Sequence, residues 1–341
     1  MTSRDESRRE FAARNRFGRV ARIATPTPLG VGDINSYLIL PPDGADGRVT
    51  LVDTGVKTPE SFEVMRSGLK DHGLGFEDIE RILITHAHMD HFGQAQRIRS
   101  LSGAKAFASA GEAALMRTHF SPSGDRRDFV MHYFDRWGVP SGLLEGQNRM
   151  AQFALEIQDP IEVDGTLADG DVVAVGDLRL QVISTPGHCD DHIVFYEPAL
   201  RILFSGDHLL TDISPVPLLV FPKHESEPRP KSLVRFFASL ARVETLDCVA
   251  VYPSHGDVIH DHRKLIAGYR LHHERRLLQI HRKLAAEPST AWELAAKIFP
   301  KVYETQVFLV MSEVIGHLDV LVDRGLVVIE ERGGREIARA A

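Results

Sequence analysis

The chain has 341 residues and a mass of 38.0 kDa, enough for one large domain and a small second one. The formal net charge of -7 and the pI near 6.2 argue against nucleic-acid binding through a globally basic surface. Cys189 and Cys248 are too few for a disulfide framework, and no apolar run predicts a membrane-spanning helix. These features favour the reducing cytoplasm.

The N-terminal part of the chain predicts a tail followed by strands. Residues 1–16 are rich in charge and lack the apolar stretch of a secretory signal, so we expect a disordered tail. Residues 20–52 contain short apolar runs broken by proline and glycine, which predict antiparallel strands. Apolar strands and helices then alternate, which predicts an α/β fold. The strands are predicted at 82–84, 178–183, 202–204 and 249–252, and the helices at 92–101 and 231–240.

Residues 111–159 differ from the flanking sequence because they contain no good strand pattern. Large apolar residues with helical spacing are dense here, including Met116, Phe129, Tyr133 and Trp137. We interpret this segment as a helical insertion. It is either a lid over the functional site or an ordinary helical pair that packs in the core.

The pattern changes again after residue 261. Helices are predicted over residues 262–285, 290–299 and 305–324, Gly325 ends the last of them, and residues 326–330 form a strand. Three helices and a short hairpin are typical of a winged-helix-like domain. We therefore predict a catalytic domain over residues 17–261 and a winged-helix-like C-terminal domain over residues 262–341.

The densest cluster of potential metal ligands lies directly between a predicted strand and a predicted helix. It consists of His86, His88, Asp90 and His91. At a strand end followed by a tight loop, alternate side chains converge, so His86 and His88 can face one metal ion while Asp90 and His91 face a neighbouring one. Imidazole and carboxylate ligands favour zinc, iron or manganese over calcium or magnesium.

Four further polar residues occupy the same position relative to predicted strands. Asp53, His188, Asp207 and His255 each follow shortly after a strand end. Polar residues at five strand ends are what a single pocket at one edge of a packed sheet requires, because a rigid scaffold then holds ligands on loops.

These motifs, in this order and context, resemble those of the metallo-β-lactamase superfamily over roughly residues 20–261. The resemblance implies an αβ/βα sandwich that holds two divalent metal ions. It implies that a bridging carboxylate, Asp207, and a shared water or hydroxide lie between the ions, and that Asp53 supports the motif loop through hydrogen bonds. The implied ligands are His86, His88 and His188 for one ion and Asp90, His91 and His255 for the other.

Several residues beside the motifs have open roles. Cys189 is either a ligand or, as we favour, a small buried neighbour of His188. His192 and His208 either orient ligands or substrate, or have plain structural roles. Ser254 stands where a glycine is common in relatives and is expected to alter the loop without removing a ligand.

The implied chemistry is hydrolysis by metal-activated water, with zinc the favoured metal and Asp90 or Asp207 transferring protons. The substrate is open because one fold hosts many chemistries. Residues 205–215 resemble thioester hydrolases of the glyoxalase II type, which favours a small-molecule thioester or related acyl ester. Residues 252–262 and the C-terminal region are similar to the β-lactamase-like protein 2 group, some of whose members are single-strand endoribonucleases. A lactonase and a non-catalytic binding protein are the remaining alternatives.

The predicted helix over residues 262–285 bears on the nucleic-acid alternative. Glutamates interrupt its basic residues and no aromatic platform for bases is evident, so a solvated helix face is favoured over a nucleic-acid contact. The C-terminal domain is expected to lie beside the pocket mouth, where it shapes substrate access or a homodimer. The basic residues are Arg263, Lys264, Arg270, Arg275, Arg276, Arg282 and Lys283.

Overall fold

The computed structural model describes residues 19–41, 48–117, 125–211, 215–222, 224 and 226–341, without the side chains of residues 125 and 145–151. The tail expected over residues 1–16 lies outside the described residues. Within the described part of the chain, no helix combines the length and the apolar character that crossing a bilayer requires.

Eleven of the described strands form two mixed sheets. In the first sheet the strands lie in sequence order, with β1 to β3 antiparallel and β3 to β6 parallel. Its strands are β1 (Val20–Thr25), β2 (Ile34–Ile39), β3 (Val49–Val52), β4 (Ile79–Leu83), β5 (Lys105–Ser109) and β6 (Gly165–Leu167).

The second sheet has the spatial order β11-β10-β9-β8-β7, and only the β10–β11 pair is parallel. Strands β5, β6, β7 and β9 were not among the predicted strands. Three of them are short or partly exposed, so they lack the continuous apolar run that marks the other strands. The strands are β7 (Val172–Val175), β8 (Leu178–Ser184), β9 (Ile193–Glu197), β10 (Ile202–Gly206) and β11 (Ala250–Pro253).

The two sheets pack face to face because successive residues of each strand point to opposite sides. On β10, Ile202 and Phe204 face the core between the sheets, whereas Leu203 faces the outer core beneath the helices. On β3, Val52 faces the inner core and Leu51 faces the outer core on the other side. Helices cover both outer faces, which confirms the predicted αβ/βα sandwich.

The helices before the insertion cover the outer face of the first sheet. Helix α1 begins at a Thr58 cap whose side chain accepts a hydrogen bond from the Ser61 amide, with proline at its first position. Its buried Phe62 and Met65 pack on that sheet. These helices are α1 (Pro59–Asp71), α2 (Met89–Phe92) and α3 (Ala95–Ser102).

The described residues of the insertion are helical, as predicted. Trp137 donates its indole N–H to Glu336 at 3.1 Å, and its carbonyl accepts from the Trp292 amide at 3.1 Å. These contacts and the shared apolar cluster place the insertion against the C-terminal region. Whether the insertion is a lid over the site stays a prediction. The insertion helices are α4 (Ala110–Arg117), α5 (Asp125–Arg136) and α6 (Ser141–Glu156).

Four helices and a hairpin complete the chain. The first of these helices covers the second sheet, and the remainder has the predicted order of three helices and a hairpin. Thr290 and Glu293 form a capping box at the start of the shortest helix. The assignment of a winged-helix domain stays a prediction. The elements are α7 (Ser232–Glu244), α8 (His262–Ala286), α9 (Ala291–Ile298), α10 (Val307–Asp323), β12 (Val327–Arg332) and β13 (Arg335–Ala340).

Candidate metal centre

The seven side chains predicted as metal ligands come together at the carboxyl ends of β4, β8, β10 and β11. They form two groups, and within each group the potential ligand atoms lie within 4.8 Å of one another. Six of the seven residues are buried, and His88 is half-buried. One group consists of His86, His88, His188 and Asp207, and the other of Asp90, His91 and His255.

Asp207 lies between the two groups and faces both. Its Oδ2 is 3.6 Å from His188 Nε2, and its Oδ1 is 3.5 Å from His91 Nε2. Oδ1 is also 3.8 Å from His255 Nε2. The geometry therefore allows one carboxylate to serve both groups.

In the first group, three ring nitrogens converge on one point. His88 Nδ1 lies 2.8 Å from His86 Nε2 and 3.0 Å from His188 Nε2. Tetrahedral ligands at a zinc–nitrogen distance of about 2.0–2.1 Å are separated by roughly 3.3 Å. The observed spacing is close to that separation.

In the second group, the distances from the Asp90 carboxylate to the imidazoles are similar. His255 Nε2 is 3.3 Å from Asp90 Oδ2, and His91 Nε2 is 3.8 Å from Asp90 Oδ1. Among the described residues, no group makes a hydrogen bond with His91 Nε2, His255 Nε2 or Asp207 Oδ1, although all three atoms are buried. Buried polar atoms that point toward one another without partners fit a bound cation.

The outward ring nitrogens fix which nitrogen carries the proton. The Nδ1 of His255 is 2.8 Å from the Asp33 carbonyl, and that of His188 is 3.0 Å from the Val216 carbonyl. Because a carbonyl only accepts hydrogen bonds, each Nδ1 carries the proton and each Nε2 presents a lone pair to the centre. This arrangement is typical of imidazoles that bind metal.

Asp53 supports the centre through its hydrogen bonds. Its Oδ1 accepts from the Thr85 amide at 2.9 Å, and its Oδ2 accepts from the Thr85 hydroxyl at 2.9 Å and from His91 Nδ1 at 2.8 Å. The Ser254 hydroxyl also donates to Oδ2 at 3.2 Å, so this serine adds a contact that the glycine common in relatives at this position could not make. Asp53 has a φ of 55°, a left-handed conformation that costs free energy in a residue with a Cβ.

Gly206 allows β10 to approach the motif loop closely. Its φ is +50°, and an added Cβ would lie 2.7 Å from His192 Nε2 and 2.9 Å from Thr85 Cβ. A side chain at position 206 would therefore clash with Thr85, in the loop before His86, and with the ring of His192.

Burial and the charges within the site shift the pKa values of the histidines in opposite directions in the two groups. Burial lowers the pKa of His86 well below its usual range and that of His88 to about 3, so both imidazoles are neutral. Burial also acts on His91, but Asp207 and Asp53 outweigh it and raise its pKa well above the usual range. The acidic second group thus holds a proton that a cation would replace.

Two further predicted residues, His192 and His208, are both buried beside the ligands. The Nδ1 of His192 is 2.8 Å from the Thr185 hydroxyl, and its Nε2 accepts from the Asp207 amide at 3.3 Å. The ring of His208 instead meets Phe236 edge to face, with ring centroids 5.3 Å apart. The geometry thus gives His192 a supporting contact to the site and places His208 against the apolar core.

Glu112 was not predicted from the sequence, although it joins two of the ligand loops. Its carboxylate accepts from the Ala87 amide at 2.8 Å and from the Asp191 amide at 3.2 Å. Cys189 also makes a side-chain hydrogen bond to it, and burial raises the pKa of both groups. This contact agrees with a buried neighbour rather than a ligand at Cys189. A glutamate on the same helical face as Met116 was the available signal.

The loop after Asp207 connects the centre to the C-terminal helices. The Leu218 amide donates to the His188 carbonyl at 3.2 Å, and the Leu219 amide donates to the Ser312 hydroxyl at 3.0 Å. The Leu210 amide donates to the Tyr269 hydroxyl at 2.8 Å. Helices α8 and α10 therefore border the loop after Asp207, which in turn contacts the backbone of His188.

Comparison with known proteins agrees with this fold and site. Residues 29–255 match the family model described as "Metallo-beta-lactamase superfamily", and the chain belongs to that superfamily. A probable metallo-hydrolase of Bacillus subtilis, YqjP, is 30% identical over 318 residues, which are 89% of this chain and 92% of the relative. A hydroxyacylglutathione hydrolase of Methylobacterium nodulans is 30% identical over 222 residues, 64% of each chain.

Solved structures of the family are similar over nearly the whole chain. A metallo-beta-lactamase family protein of Thermus thermophilus has a TM-score of 0.79 and 28% identity, covering 94% of this chain and 98% of that one. A beta-lactamase domain protein of Burkholderia ambifaria has a TM-score of 0.76 and 25% identity, covering 94% and 92%. The family, its relatives and the histidine–aspartate clusters define a metallo-hydrolase whose site fits divalent metal ions.

Proposed function

We propose that this chain uses two divalent metal ions, with zinc favoured, to hydrolyse a small-molecule thioester or a related acyl ester. The observation that carries the proposal is Asp207, whose two oxygens face separate groups of ligand atoms. A shared carboxylate of this kind suits a pair of ions about 3.5–4 Å apart. Imidazole and carboxylate ligands favour zinc, and iron or manganese are the alternatives.

The protein's own groups hold the reactants and move the proton. Held by these residues, the ions would lower the pKa of a bound water and polarise the substrate carbonyl. The water oxygen forms a bond to the carbonyl carbon and the carbon–sulfur bond breaks. The Asp90 carboxylate lies beside His255 and is suited to take the water proton and deliver it to the leaving thiolate. Burial raises the pKa of Asp90, but His91 and His255 outweigh it, so Asp90 is ionised and able to accept.

The named relatives support an acyl substrate. Four of the similar proteins are hydroxyacylglutathione hydrolases, at 26–30% identity. We further propose that the protein acts in the cytoplasm, since Cys189 and Cys248 are buried free thiols.

The second candidate is a single-strand endoribonuclease. A beta-lactamase-like protein 2 homolog of Caenorhabditis elegans is 25% identical over 75% of this chain. On α8, however, Arg263 donates to the backbone carbonyls of Glu244 and Leu246, and Arg270 pairs with the Glu244 side chain. Arg276 lies 4.4 Å above the Phe299 ring. These engaged side chains leave fewer basic groups for a nucleic-acid backbone, which favours the acyl substrate.

The test is a substrate panel with metal-loaded protein. Acyl-glutathione and acyl-CoA thioesters, lactones and single-stranded RNA are each incubated with the wild type and with Asp207→Ala. We expect thiol release from a thioester by the wild type only, with no RNA cleavage. The Asp257→Ala variant is the matched control, because this exposed carboxylate lies outside the site.

Three outcomes would change the proposal. RNA cleavage that Asp207→Ala abolishes would establish the endoribonuclease, and hydrolysis confined to lactones would establish a lactonase. Inactivity toward the whole panel, with metal bound, would favour a binding protein. Metal analysis of the purified protein identifies the ion and counts it.

A further inference from the structure

A second histidine cluster lies where α8 and α10 pack against each other, outside the candidate metal centre. His272 and His273 are adjacent on α8, and Glu313 and His317 lie one turn apart on α10. His272, His273 and Glu313 each offer a ligand atom, and these atoms lie within 4.8 Å of one another. His273 is 1% exposed and His317 is fully buried, whereas His272 is exposed.

A chain of hydrogen bonds fixes the tautomer of both buried histidines. His317 Nδ1 is 2.6 Å from the Glu313 carbonyl, which only accepts, so this nitrogen carries a proton. The Nε2 of neutral His317 is then an acceptor, and His273 Nδ1 donates to it across 3.1 Å. His273 must therefore present an unprotonated Nε2.

The Nε2 atom of His273 is buried, and within the described residues no donor lies at hydrogen-bonding distance from it. A buried lone pair without a partner costs free energy unless it binds something. A metal-bound histidine usually donates its other ring N–H to a carboxylate, a backbone carbonyl or water, as His255 and His188 do in the candidate metal centre. His273 donates instead to His317, which itself donates to a backbone carbonyl.

We propose that His272, His273 and Glu313 bind one divalent transition-metal ion, with zinc favoured, at the packing surface between α8 and α10. Two imidazoles and one carboxylate are suitable zinc ligands, and the exposed side at His272 leaves a position for solvent. Bound metal connects the two helices and thereby stabilises the C-terminal region, which borders the loop after Asp207.

The protonation states agree with this site. Burial lowers the pKa of His273 to about 3 and that of His317 to about 4, so both rings are neutral. Burial raises the pKa of Glu313 above its usual value. An opposing charge is Arg276, whose Nε is 3.8 Å from Glu313 Oε1 and whose guanidinium stacks on Phe299.

The test counts zinc bound to the full-length protein. Metal-stripped wild type, His272→Ala, Glu313→Gln and His281→Ala are dialysed against micromolar zinc and analysed by mass spectrometry for metal. We expect His272→Ala and Glu313→Gln each to bind about one equivalent less than the wild type. The control is His281, which lies on the same helix but outside the cluster, and its variant should match the wild type.

Equal zinc content in the wild type and in both cluster variants would overturn the proposal. The exposed position of His272 makes folding of its variant secure, and its hydrolytic activity should stay at the wild-type level. His317→Gln, which breaks the supporting chain, is expected to weaken binding of that equivalent about 10–100-fold. Failure of the proposed function is distinguishable, because it removes substrate turnover and leaves the difference in zinc content intact.

Discussion

The two histidine clusters show the same chemistry built on different local structures. At the candidate metal centre, ligands come from loops that follow four strands of two sheets. Between α8 and α10, they come from the facing sides of two helices. In both places the outward ring nitrogen donates to a backbone carbonyl or to a group that leads to one. Histidines that are oriented to bind a metal ion can therefore be recognised by the hydrogen bond of the ring nitrogen that faces away from the site, whether a loop or a helix holds them.

The difference between the clusters lies in the number of carboxylates and their support. Asp90, Asp207 and Asp53 lie close together in the centre and raise the pKa of His91 well above its usual range, against the effect of burial. The helical cluster has Glu313 and a nearby arginine. The centre is thus suited to two cations and catalysis, and the helical cluster to one cation that stabilises the fold.

The largest effect is expected from removal of Asp207, the residue that faces both groups of the centre. Asp207→Ala removes the carboxylate that faces both groups, so the rate of hydrolysis should fall more than about 100-fold. Loss of a residue that only supports a ligand typically costs about 10–100-fold. The zinc content of the helical cluster should not change. Rates with the best thioester and metal analysis measure both, with Asp257→Ala as control. Wild-type turnover with full metal content would refute the assignment of Asp207.

The next effect tests the support of the centre. Asp53→Asn replaces an oxygen that accepts from Thr85, His91 and Ser254 with an amide that cannot accept all three. His91 loses its fixed tautomer, and metal affinity should fall about 10–100-fold. Competition with a chelator measures the affinity. Unchanged affinity would show that the tautomer is fixed in another way. Asp164→Asn, at a more exposed carboxylate beside the first sheet, is the matched control.

A smaller effect is expected at Glu112. Glu112→Ala leaves the buried Ala87 amide without its acceptor, which costs about 1–3 kcal/mol of unfolding free energy, and it removes the acceptor of the more exposed Asp191 amide, which costs less. Glu112→Gln keeps a similar shape and one acceptor oxygen for the two amides, so it should recover part of the stability. Urea denaturation compares the two variants, with exposed Glu162→Ala as control. Equal stability of Glu112→Ala and the wild type would contradict a joining role for this residue.

The smallest effect is expected on the exposed basic face of α8. Lys264, Arg275 and Arg282 are exposed, and surface charges of this kind contribute about 0–1 kcal/mol each. Reversing all three to glutamate should leave thioester hydrolysis and stability near wild-type values. Steady-state kinetics and melting temperature measure this. A selective loss of RNA binding in the same variant would instead support the nucleic-acid alternative.

The residue patterns by themselves predicted an α/β fold and polar ligand candidates at strand ends, and the resemblance to a known family implied the sandwich and the full set of seven ligands. Alternation along strands and the recurrence of polar residues after strand ends are local patterns, and they are visible without coordinates. The ligand candidates from His86 to His91 lie so close together in the sequence that they can be recognised without a structure. The helical character of the insertion also followed from apolar spacing.

Only the tertiary structure decided how distant groups meet. Glu112 joins the loops of Ala87 and Cys189 because α4 packs beside both, and no spacing in the chain encodes that contact. The division of the Asp207 oxygens between two groups depends on where two sheets converge. The His273–His317 pair depends on the register of α8 against α10, which packing sets. Contacts between elements far apart in sequence arise from packing, and local patterns carry no information on them.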